Sequence, residues 1–210
     1  MNAGSFADPM ITTIEALEEL YSAPSTGALI KEIDHVNAHY RAFIKAAPLV
    51  VLATSGPEGL DCSPRGDAPG FVQVRDEKTL LIPDRPGNNR VDNLRNLIRD
   101  PRIALLFLIP GVGETLRVIG RAAISAAPEV AQSFTVNDKA PRTVLVVSVQ
   151  AVYFQCSKAI VRSRLWEAET KIERTRLPST GTILAALSGG KFGGKSYDRT
   201  LPERVKKHLY

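Results

Sequence analysis

The chain has 210 residues, of which 44% are hydrophobic and 23% charged, which is the balance of an ordinary folded globular protein and argues against disorder. No apolar run approaches the roughly 20 residues that a membrane-spanning helix needs. The N-terminus lacks the basic start and apolar stretch of a secretory signal. We therefore expect a cytoplasmic protein with no membrane segment.

Two cysteines, Cys62 and Cys156, are too few for a disulfide scaffold or a cysteine zinc site, and they fit a reducing compartment. His35 and His39 stand four apart on a predicted helix, but no third ligand is evident, so we expect no metal. The net charge of +5 keeps nucleic-acid binding open as an alternative. Lys and Arg are interleaved with Asp and Glu, however, and such side chains also hold small phosphorylated ligands.

The first fifty residues are predicted to be helical. Thr12 and Glu15 have capping-box spacing at the start of a first helix. Its apolar stripe comprises Ile14, Leu17, Leu20 and Tyr21. A longer second helix is predicted to end before Pro48. Its apolar face comprises Leu29, Ile33, Val36, Tyr40 and Phe43.

From Leu49 the pattern changes to short apolar runs separated by turns, which indicates β-strands. The runs are Leu49 to Thr54, Leu60 to Ser63, Phe71 to Val74, Thr79 to Ile82, Ile103 to Ile109, Thr115 to Ser125 and Thr143 to Phe154. A helix is predicted after the fourth run, ending at Asp100 and Pro101. About six strands with one inserted helix favour a mainly β fold with flanking helices, built as a small antiparallel barrel of six strands.

The tail from about Ala168 is polar, with one apolar stretch from Thr182 to Gly190 and a last helix predicted to start at Pro202. We expect three parts: a helical N-terminal extension over 1–47, a barrel domain over 48–166 and a C-terminal extension over 167–210. The last part is expected to pack on the barrel or on a dimer partner.

The loop that follows the fourth strand is a candidate anion site. Gly87, Asn88, Asn89 and Arg90 precede a predicted helix, whose free N–H groups and dipole favour an anion. Arg90 adds a charge suited to phosphate. The alternative is an asparagine N-cap beside a solvated arginine.

Three further stretches carry candidate residues. Arg65 and Gly66 lie in Asp61 to Asp67, where a broken edge strand is the alternative. Arg117 and Arg121 point to the same face of one strand, either as ligands or as exposed charges. Cys156 to Trp166 would place Arg162 and Trp166 four apart on a helix, beside a ligand or as a cap on the core.

Four stretches, taken in order, carry a resemblance to a known family. They are LDCSPRGDAPGFV (Leu60 to Val72), LLIPDRPGNNRVDNLRNL (Leu80 to Leu97), LLFLIPGVGETLRVIGRA (Leu105 to Ala122) and CSKAIVRSRLW (Cys156 to Trp166). The chain resembles the FMN-binding split barrels of the pyridoxamine 5′-phosphate oxidase superfamily. More narrowly, it is similar to the PPOX class of FMN-dependent flavoproteins with unassigned substrate.

The resemblance implies which residues contact FMN. Ser63, Arg65, Gly66 and Asp67 would contact the flavin from the second strand. Pro83, Asp84 and Arg85 would lie on the ring side of the next loop, and Asn88, Asn89 and Arg90 on the phosphate side. Thr115 and Arg117 would reach the flavin from the second subunit, and Trp166 would lie near the ring. One of Arg65, Arg117 and Arg162 would lie at the pyrimidine edge.

The resemblance also implies a homodimer with the flavin at the interface, and FMN-dependent oxidation or reduction of a small molecule, with a nicotinamide as a candidate donor. The true oxidases have a Ser-Arg-Lys run where this chain has Asn88-Asn89-Arg90, so one cation is missing and another arginine is expected to replace it. Their C-terminal Arg-Leu-His motif is not evident either, which argues against pyridoxamine phosphate as substrate. No catalytic residue is assigned. A flavin, haem or deazaflavin carrier without turnover is the alternative.

Overall fold

The computed structural model describes residues 10–210 and divides into two units, one ending at Glu32 and one comprising Ile33–Tyr210. The predicted N-terminal extension and the predicted absence of a secretory signal involve residues 1–9, which lie outside the described residues.

The first unit contains two short helices, α1 (Ile14–Glu18) and α2 (Thr26–Ile30). The predicted cap of α1 was wrong by one residue, since Thr13 and not Thr12 accepts a hydrogen bond from the Ala16 N–H at 3.2 Å. Each helix thus begins at a hydroxyl side chain that satisfies a free N–H group.

The long helix predicted from Leu29 to Phe43 does not form. The backbone of Ile33 exchanges two hydrogen bonds with Val152, N···O 3.1 and 2.8 Å, in an isolated β-bridge. Asn37 then caps a separate helix, α3 (Ala38–Ala46), by accepting from the Tyr40 N–H at 2.9 Å. An asparagine side chain competes with helical hydrogen bonding in this way, and it starts a new helix here. His35 therefore precedes α3 and does not share a helix face with His39.

The second unit is built on one antiparallel sheet of seven strands, so the prediction of six strands was wrong. The strands are β1 (Leu49–Gly56), β2 (Gly59–Gly66), β3 (Gln73–Asp76), β4 (Thr79–Asp84), β5 (Arg102–Leu108), β6 (Thr115–Ser125) and β7 (Thr143–Gln155). Their order is β2-β1-β5-β6-β7-β4-β3. The sheet is not closed, because the edge strands β2 and β3 do not pair with each other.

The remaining helices are α4 (Asp92–Arg99), α5 (Pro128–Gln132), α6 (Lys158–Ser163), α7 (Thr180–Leu187) and α8 (Gly194–Lys207). The start predicted for the last helix was wrong, because α8 begins at Gly194 and contains Pro202 in its interior. Proline is common in the first turn of a helix, but here it lies in the helix interior. Within residues 10–210, no helix combines the length and the apolar character needed to cross a bilayer.

The strand register defines two faces of the sheet. Residues that are paired across antiparallel strands point to the same face. Val50, Phe107 and Leu116 are paired in succession across β1, β5 and β6, and all are fully buried in the core. Arg65 pairs with Val50, so the Arg65 side chain points to this inner face.

The neighbouring row of paired residues points to the other face. Pro64, Val51, Leu106 and Arg117 are paired in succession from β2 to β6 and form this outer row. Pro64 therefore lies in the edge strand β2, where its missing N–H is tolerated.

Candidate functional site

A pocket of about 640 Å³ lies at the end of the sheet where β2, the loop after β4, the start of α4 and the start of β7 meet. Most of its lining comes from two segments that are distant in sequence. The lining residues are Asp61, Ser63, Pro64, Arg65, Gly66, Asp84, Arg85, Pro86, Gly87, Asn88, Asn89, Arg90, Val91, Asp92, Asn93, Leu94, Arg142 and Thr143.

The pocket brings together the two stretches that the sequence analysis placed on one ligand. The predicted residues that line it are Ser63, Arg65, Gly66, Asp84, Arg85, Asn88, Asn89 and Arg90. Pro83 and Asp67 are neighbours of this set in sequence but do not line the pocket. Pro83 is a buried residue of β4, paired with Val144.

Arg65 is held at the inner face by polar partners on both sides. Its Nη2 donates to the Asn93 Oδ1 at 3.4 Å, and its Nε lies 3.5 Å from the Asp84 Oδ1. Asn93 is only 3% exposed, and its Nδ2 donates to the Thr54 Oγ1 at 3.0 Å. A buried amide with both ends occupied has little freedom to rotate, so Asn93 orients the Arg65 guanidinium.

Asp84 lies in the pocket wall with 23% of its side chain exposed. Burial raises the pKa of this carboxyl above its ordinary value, and the charge of Arg65 offsets only part of the effect. The ionised form of Asp84 is therefore less favourable in the folded protein than in water.

Arg85 is a second preorganised cation, with 14% of its side chain exposed. Its Nε donates to the Asp67 Oδ2 at 2.8 Å, and its Nη1 donates to the main-chain oxygen of Phe134 at 2.8 Å. Asp67 thus contacts a residue of the pocket wall without lining the pocket itself.

The turn from Asn88 to Arg90 precedes α4, and neither asparagine is the N-cap of that helix. The Asn88 Oδ1 accepts from the Arg90 N–H at 3.0 Å, and Asn89 has a left-handed φ of 60°. The helix α4 begins after this turn, at Asp92. Its N-cap residue Val91 makes no side-chain hydrogen bond to the first turn. The Arg90 side chain is 81% exposed and pairs with Asp92 at 2.7 Å. The first N–H groups of α4 thus lack a side-chain cap beside the pocket.

The sequence analysis missed Asn93, Arg142 and Thr143. The Thr143 Oγ1 is buried and is the one side-chain polar atom within residues 10–210 found buried without a hydrogen-bond partner. Thr143 is the partner of Asp84 in the β4–β7 pairing, so the two side chains share a face at the pocket. Only the strand register shows that Thr143 is a neighbour of Asp84. Asn93 could have been found in the sequence, because it is a polar residue beside the apolar Leu94 and Leu97 of one predicted helix.

The other predicted residues lie away from this pocket. Thr115 and Arg117 are on the outer face of β6, where the Arg117 Nη1 donates to the Tyr153 hydroxyl at 2.9 Å. The Trp166 Nε1 donates to the main-chain oxygen of Val112 at 2.8 Å. The structure does not place these residues or Arg162 around the pocket of the same chain.

The helical spacing predicted for Arg162 and Trp166 was wrong. The helix α6 ends at Ser163, and Arg164 has a left-handed φ of 52°. Trp166 therefore lies beyond the helix on which Arg162 sits. Within residues 10–210, no cluster of three or more His, Cys, Asp or Glu suits a metal ion.

The family model of pyridoxamine 5′-phosphate oxidase matches residues 36–156, which is more than half of the chain. The chain belongs to the pyridoxamine 5′-phosphate oxidase family. The match spans the seven strands and the whole of the pocket. No curated protein matches the chain.

Solved structures that match part of the chain share little sequence with it. HupZ of Group A Streptococcus has 16% identity and a TM-score of 0.48, over 58% of this chain and 95% of that one. General Stress Protein 26 of Bacillus anthracis has 14% identity and a TM-score of 0.41, over 54% and 88%. An FMN-binding protein of Syntrophomonas wolfei has 12% identity and a TM-score of 0.42, over 54% and 82%. The family assignment therefore rests on the sequence match.

The raised pKa of Asp84 predicts how its replacement changes the dependence of stability on pH. Because the folded protein prefers the neutral carboxyl, Asp84 lowers the free energy of unfolding as pH rises from its ordinary pKa of 3.8 through the raised one. We expect Asp84→Asn to leave the ligand-free protein at least as stable as the wild type at pH 7. The difference in free energy of unfolding between the variant and the wild type should become smaller towards pH 4. Urea denaturation of both proteins at pH 7 and pH 4 measures it.

Asp100→Asn provides the control of opposite sign. Hydrogen bonds from Arg102 lower the pKa of Asp100, so ionised Asp100 favours the folded state. We expect this variant to be less stable than the wild type at pH 7, with the loss fading as pH falls. If Asp84→Asn also lost stability at pH 7 and regained it in acid, the account of Asp84 would be contradicted.

Proposed function

We propose that the pocket binds FMN, with the phosphate at the turn from Asn88 to Arg90 and the ring towards Arg65, Asp84 and Arg85. Membership of the family supports a flavin, and the cavity of about 640 Å³ is within the usual range of 300–1,000 Å³ for small-molecule sites. The ring would lie at the end of β2, where the main chain of Gly66 lines the pocket.

The observation that carries the proposal is the charge of the pocket wall. Four arginines, Arg65, Arg85, Arg90 and Arg142, line the pocket together with three carboxylates, those of Asp61, Asp84 and Asp92. Two of these carboxylates pair with arginines, and the Arg142 guanidinium has no partner within residues 10–210. Arg65, Arg85 and Arg90 are each paired with an aspartate, so Arg142 is the pocket arginine left for a phosphate monoester, and it is our candidate for the cation that the Asn-Asn-Arg run lacks.

Thr143 offers a separate test of fit. Its buried hydroxyl is unsatisfied, which costs about 1–3 kcal/mol for such a group. Thr143 lines the pocket, where a polar ligand could satisfy this hydroxyl. The residues present therefore fit a ligand that carries both phosphate and hydrogen-bonding groups.

The residues that line the pocket favour flavin over haem and over a nucleic acid as the ligand. None of the residues that line the pocket in the described chain is His, Cys, Met or Tyr, so no side chain there suits haem iron. A recessed pocket with paired charges also differs from the exposed basic stripe expected of a nucleic-acid surface.

We further propose that the protein is an FMN-dependent oxidoreductase acting on a small molecule, with a nicotinamide as candidate donor. Bound FMN would supply hydride transfer at its N5 position. The residues of this chain would bind and orient it: Arg90 and Arg142 at the phosphate, and Arg65, held by Asn93, at the ring. No acid or base is assigned, because the cofactor carries the redox chemistry.

We propose a homodimer whose second subunit completes the site. On the outer face of β1, β5 and β6, apolar side chains are half-buried in the single chain. They are Leu49, Val51, Leu106, Leu108 and Ile119. Arg117 lies in the same face. Packing of two such faces would bury apolar area and bring Thr115, Arg117, Arg162 and Trp166 of one subunit towards the pocket of the other.

We also propose that the chain consists of an N-terminal extension over 1–47, a barrel domain over 48–166 and a C-terminal extension over 167–210. The C-terminal extension would pack on the barrel or on the partner subunit. The cytoplasm is the compartment that we propose, since Cys62 and Cys156 are both exposed free thiols.

Titration of FMN into the purified protein tests the proposed cofactor. We expect saturable quenching of flavin fluorescence, and Arg90→Ala should weaken FMN binding by about 1.5–3 kcal/mol, as for a lost hydrogen bond to a charged group. Riboflavin, which lacks the phosphate, should bind both proteins with similar affinity.

Arg99→Ala is the matched control, because Arg99 lies at the other end of α4, outside the pocket, with 52% of its side chain exposed. Its affinity for FMN should equal that of the wild type. Absence of FMN binding by the wild type would overturn the cofactor, and an unchanged affinity in Arg90→Ala would overturn the role of Arg90.

Redox activity is tested separately on the FMN-loaded protein. Under anaerobic conditions, NADH or NADPH should bleach the visible absorbance of the flavin, and oxygen should restore it. A flavin that stays oxidised with both donors and is reduced only by dithionite would favour the carrier without turnover.

The oligomeric state tests the shared site. Light scattering should give twice the chain mass of 22.8 kDa. Arg117→Ala should weaken FMN binding although Arg117 does not line the pocket of its own chain. A monomer that binds FMN with full affinity would contradict the shared pocket.

A further inference from the structure

Arg85 is a pocket arginine that is held by two distant parts of the chain. Its Nε and Nη1 donate to Asp67 and to the main-chain oxygen of Phe134. Its Nη2 has no partner within residues 10–210. A guanidinium held by two of its nitrogens keeps the third in a fixed direction, so the partners of Arg85 decide what it can offer to a ligand.

Asp67 is the main partner of Arg85, and its carboxylate is only 4% exposed. The Oδ2 accepts from the Arg85 Nε, and the Oδ1 accepts from the Ala68 N–H at 2.8 Å and from the Tyr210 hydroxyl at 2.7 Å. Burial alone would raise the pKa of Asp67, but hydrogen bonds from Tyr210, Ala68 and Arg85 bring it below its ordinary value. Asp67 is thus a buried carboxylate whose ionised form these three donors stabilise.

Tyr210 contacts other residues of the second unit at three points. Its hydroxyl donates to Asp67, its main-chain oxygen accepts from the Lys139 Nζ at 2.9 Å, and its ring lies 5.2 Å from the Arg85 guanidinium. The contact between cation and ring adds to the hydrogen bonds. The segment after α8 is therefore connected to the pocket wall through Asp67 and Arg85, and we call these four residues, Tyr210, Lys139, Asp67 and Arg85, the Tyr210 latch.

We propose that Tyr210 is a positioning residue for ligand binding: it holds Asp67, and through Asp67 it fixes the Arg85 guanidinium for contact with the bound phosphorylated flavin. The inference rests on the proposed function. Tyr210 does not line the pocket, so it acts through the latch and not by contact. By linkage, a ligand that binds the fixed form of Arg85 must in turn stabilise the attachment of Tyr210.

A double-mutant cycle on the full chain tests this coupling, with FMN as the titrated ligand. Tyr210→Phe removes only the hydroxyl and should weaken FMN binding by about threefold to tenfold, in the range of coupling between residues in contact. In an Arg85→Gln background the same substitution should have no further effect. A loss of equal size in both backgrounds, or no loss in either, would overturn the proposal.

Tyr197→Phe is the matched control. Tyr197 lies in α8, where its ring packs against Phe192 and Arg204, and it does not line the pocket. Loss of the Tyr197 hydroxyl should leave the affinity for FMN unchanged. If the wild type itself failed to bind FMN, the proposed function would fall. If the wild type bound FMN and Tyr210→Phe bound it equally well, only the latch would fall.

Reciprocity gives a second readout that needs no substitution. Hydrogen exchange of a peptide that ends at Tyr210 and includes the His208 N–H, which donates to the Arg204 and Val205 oxygens, should slow when FMN saturates the wild-type protein. Slowing in the wild type and its absence in Arg85→Gln would support the latch. Equal exchange with and without bound FMN would contradict it, since Tyr210 would then be insensitive to occupation of the pocket.

Discussion

The site depends on a charged side chain that points to the inner face of a sheet. Strand alternation and the pairing of Arg65 with Val50 place the guanidinium on the side of the hydrophobic core. Such a charge is tolerated only where polar groups surround it, and here Asn93 and Asp84 provide them at the open end of the sheet. The pocket is the space that these partners keep polar beside an otherwise apolar interior.

Much of the sheet could be predicted from the sequence because strands leave local signals. The apolar runs that became β1, β5, β6 and β7 match the observed strands closely, with β6 identical in its bounds. The loop with Asn88, Asn89 and Arg90 was predicted as an anion site from residue types, and the structure places it in the wall of the pocket. Helix boundaries were harder, since the bridge of Ile33 to Val152 and the cap at Asn37 involve tertiary or side-chain hydrogen bonds that an apolar stripe does not reveal.

Thr143 and Arg142 could not be assigned to the candidate site without the strand register. Thr143 neighbours Asp84 only because β4 and β7 pair as they do, and Arg142 reaches the pocket for the same reason. Arg65 and Arg117 look alike in the sequence, as strand arginines beside glycine or valine, yet they lie on opposite faces of one sheet. Alternation along a strand shows that successive side chains point to opposite faces of the sheet. It does not show which residues of two different strands share a face.

Pro64 also has a consequence for association with other chains. It stands in the edge strand β2, which carries the residues of the pocket wall and whose Leu60 side chain is 86% exposed. An unprotected edge of this kind is a template for strand addition and amyloid-like aggregation, and a residue without an N–H interrupts the row of donors that an incoming strand requires. Pro64 therefore leaves a gap in the row of donors that β2, a strand of the pocket wall, offers to an incoming strand.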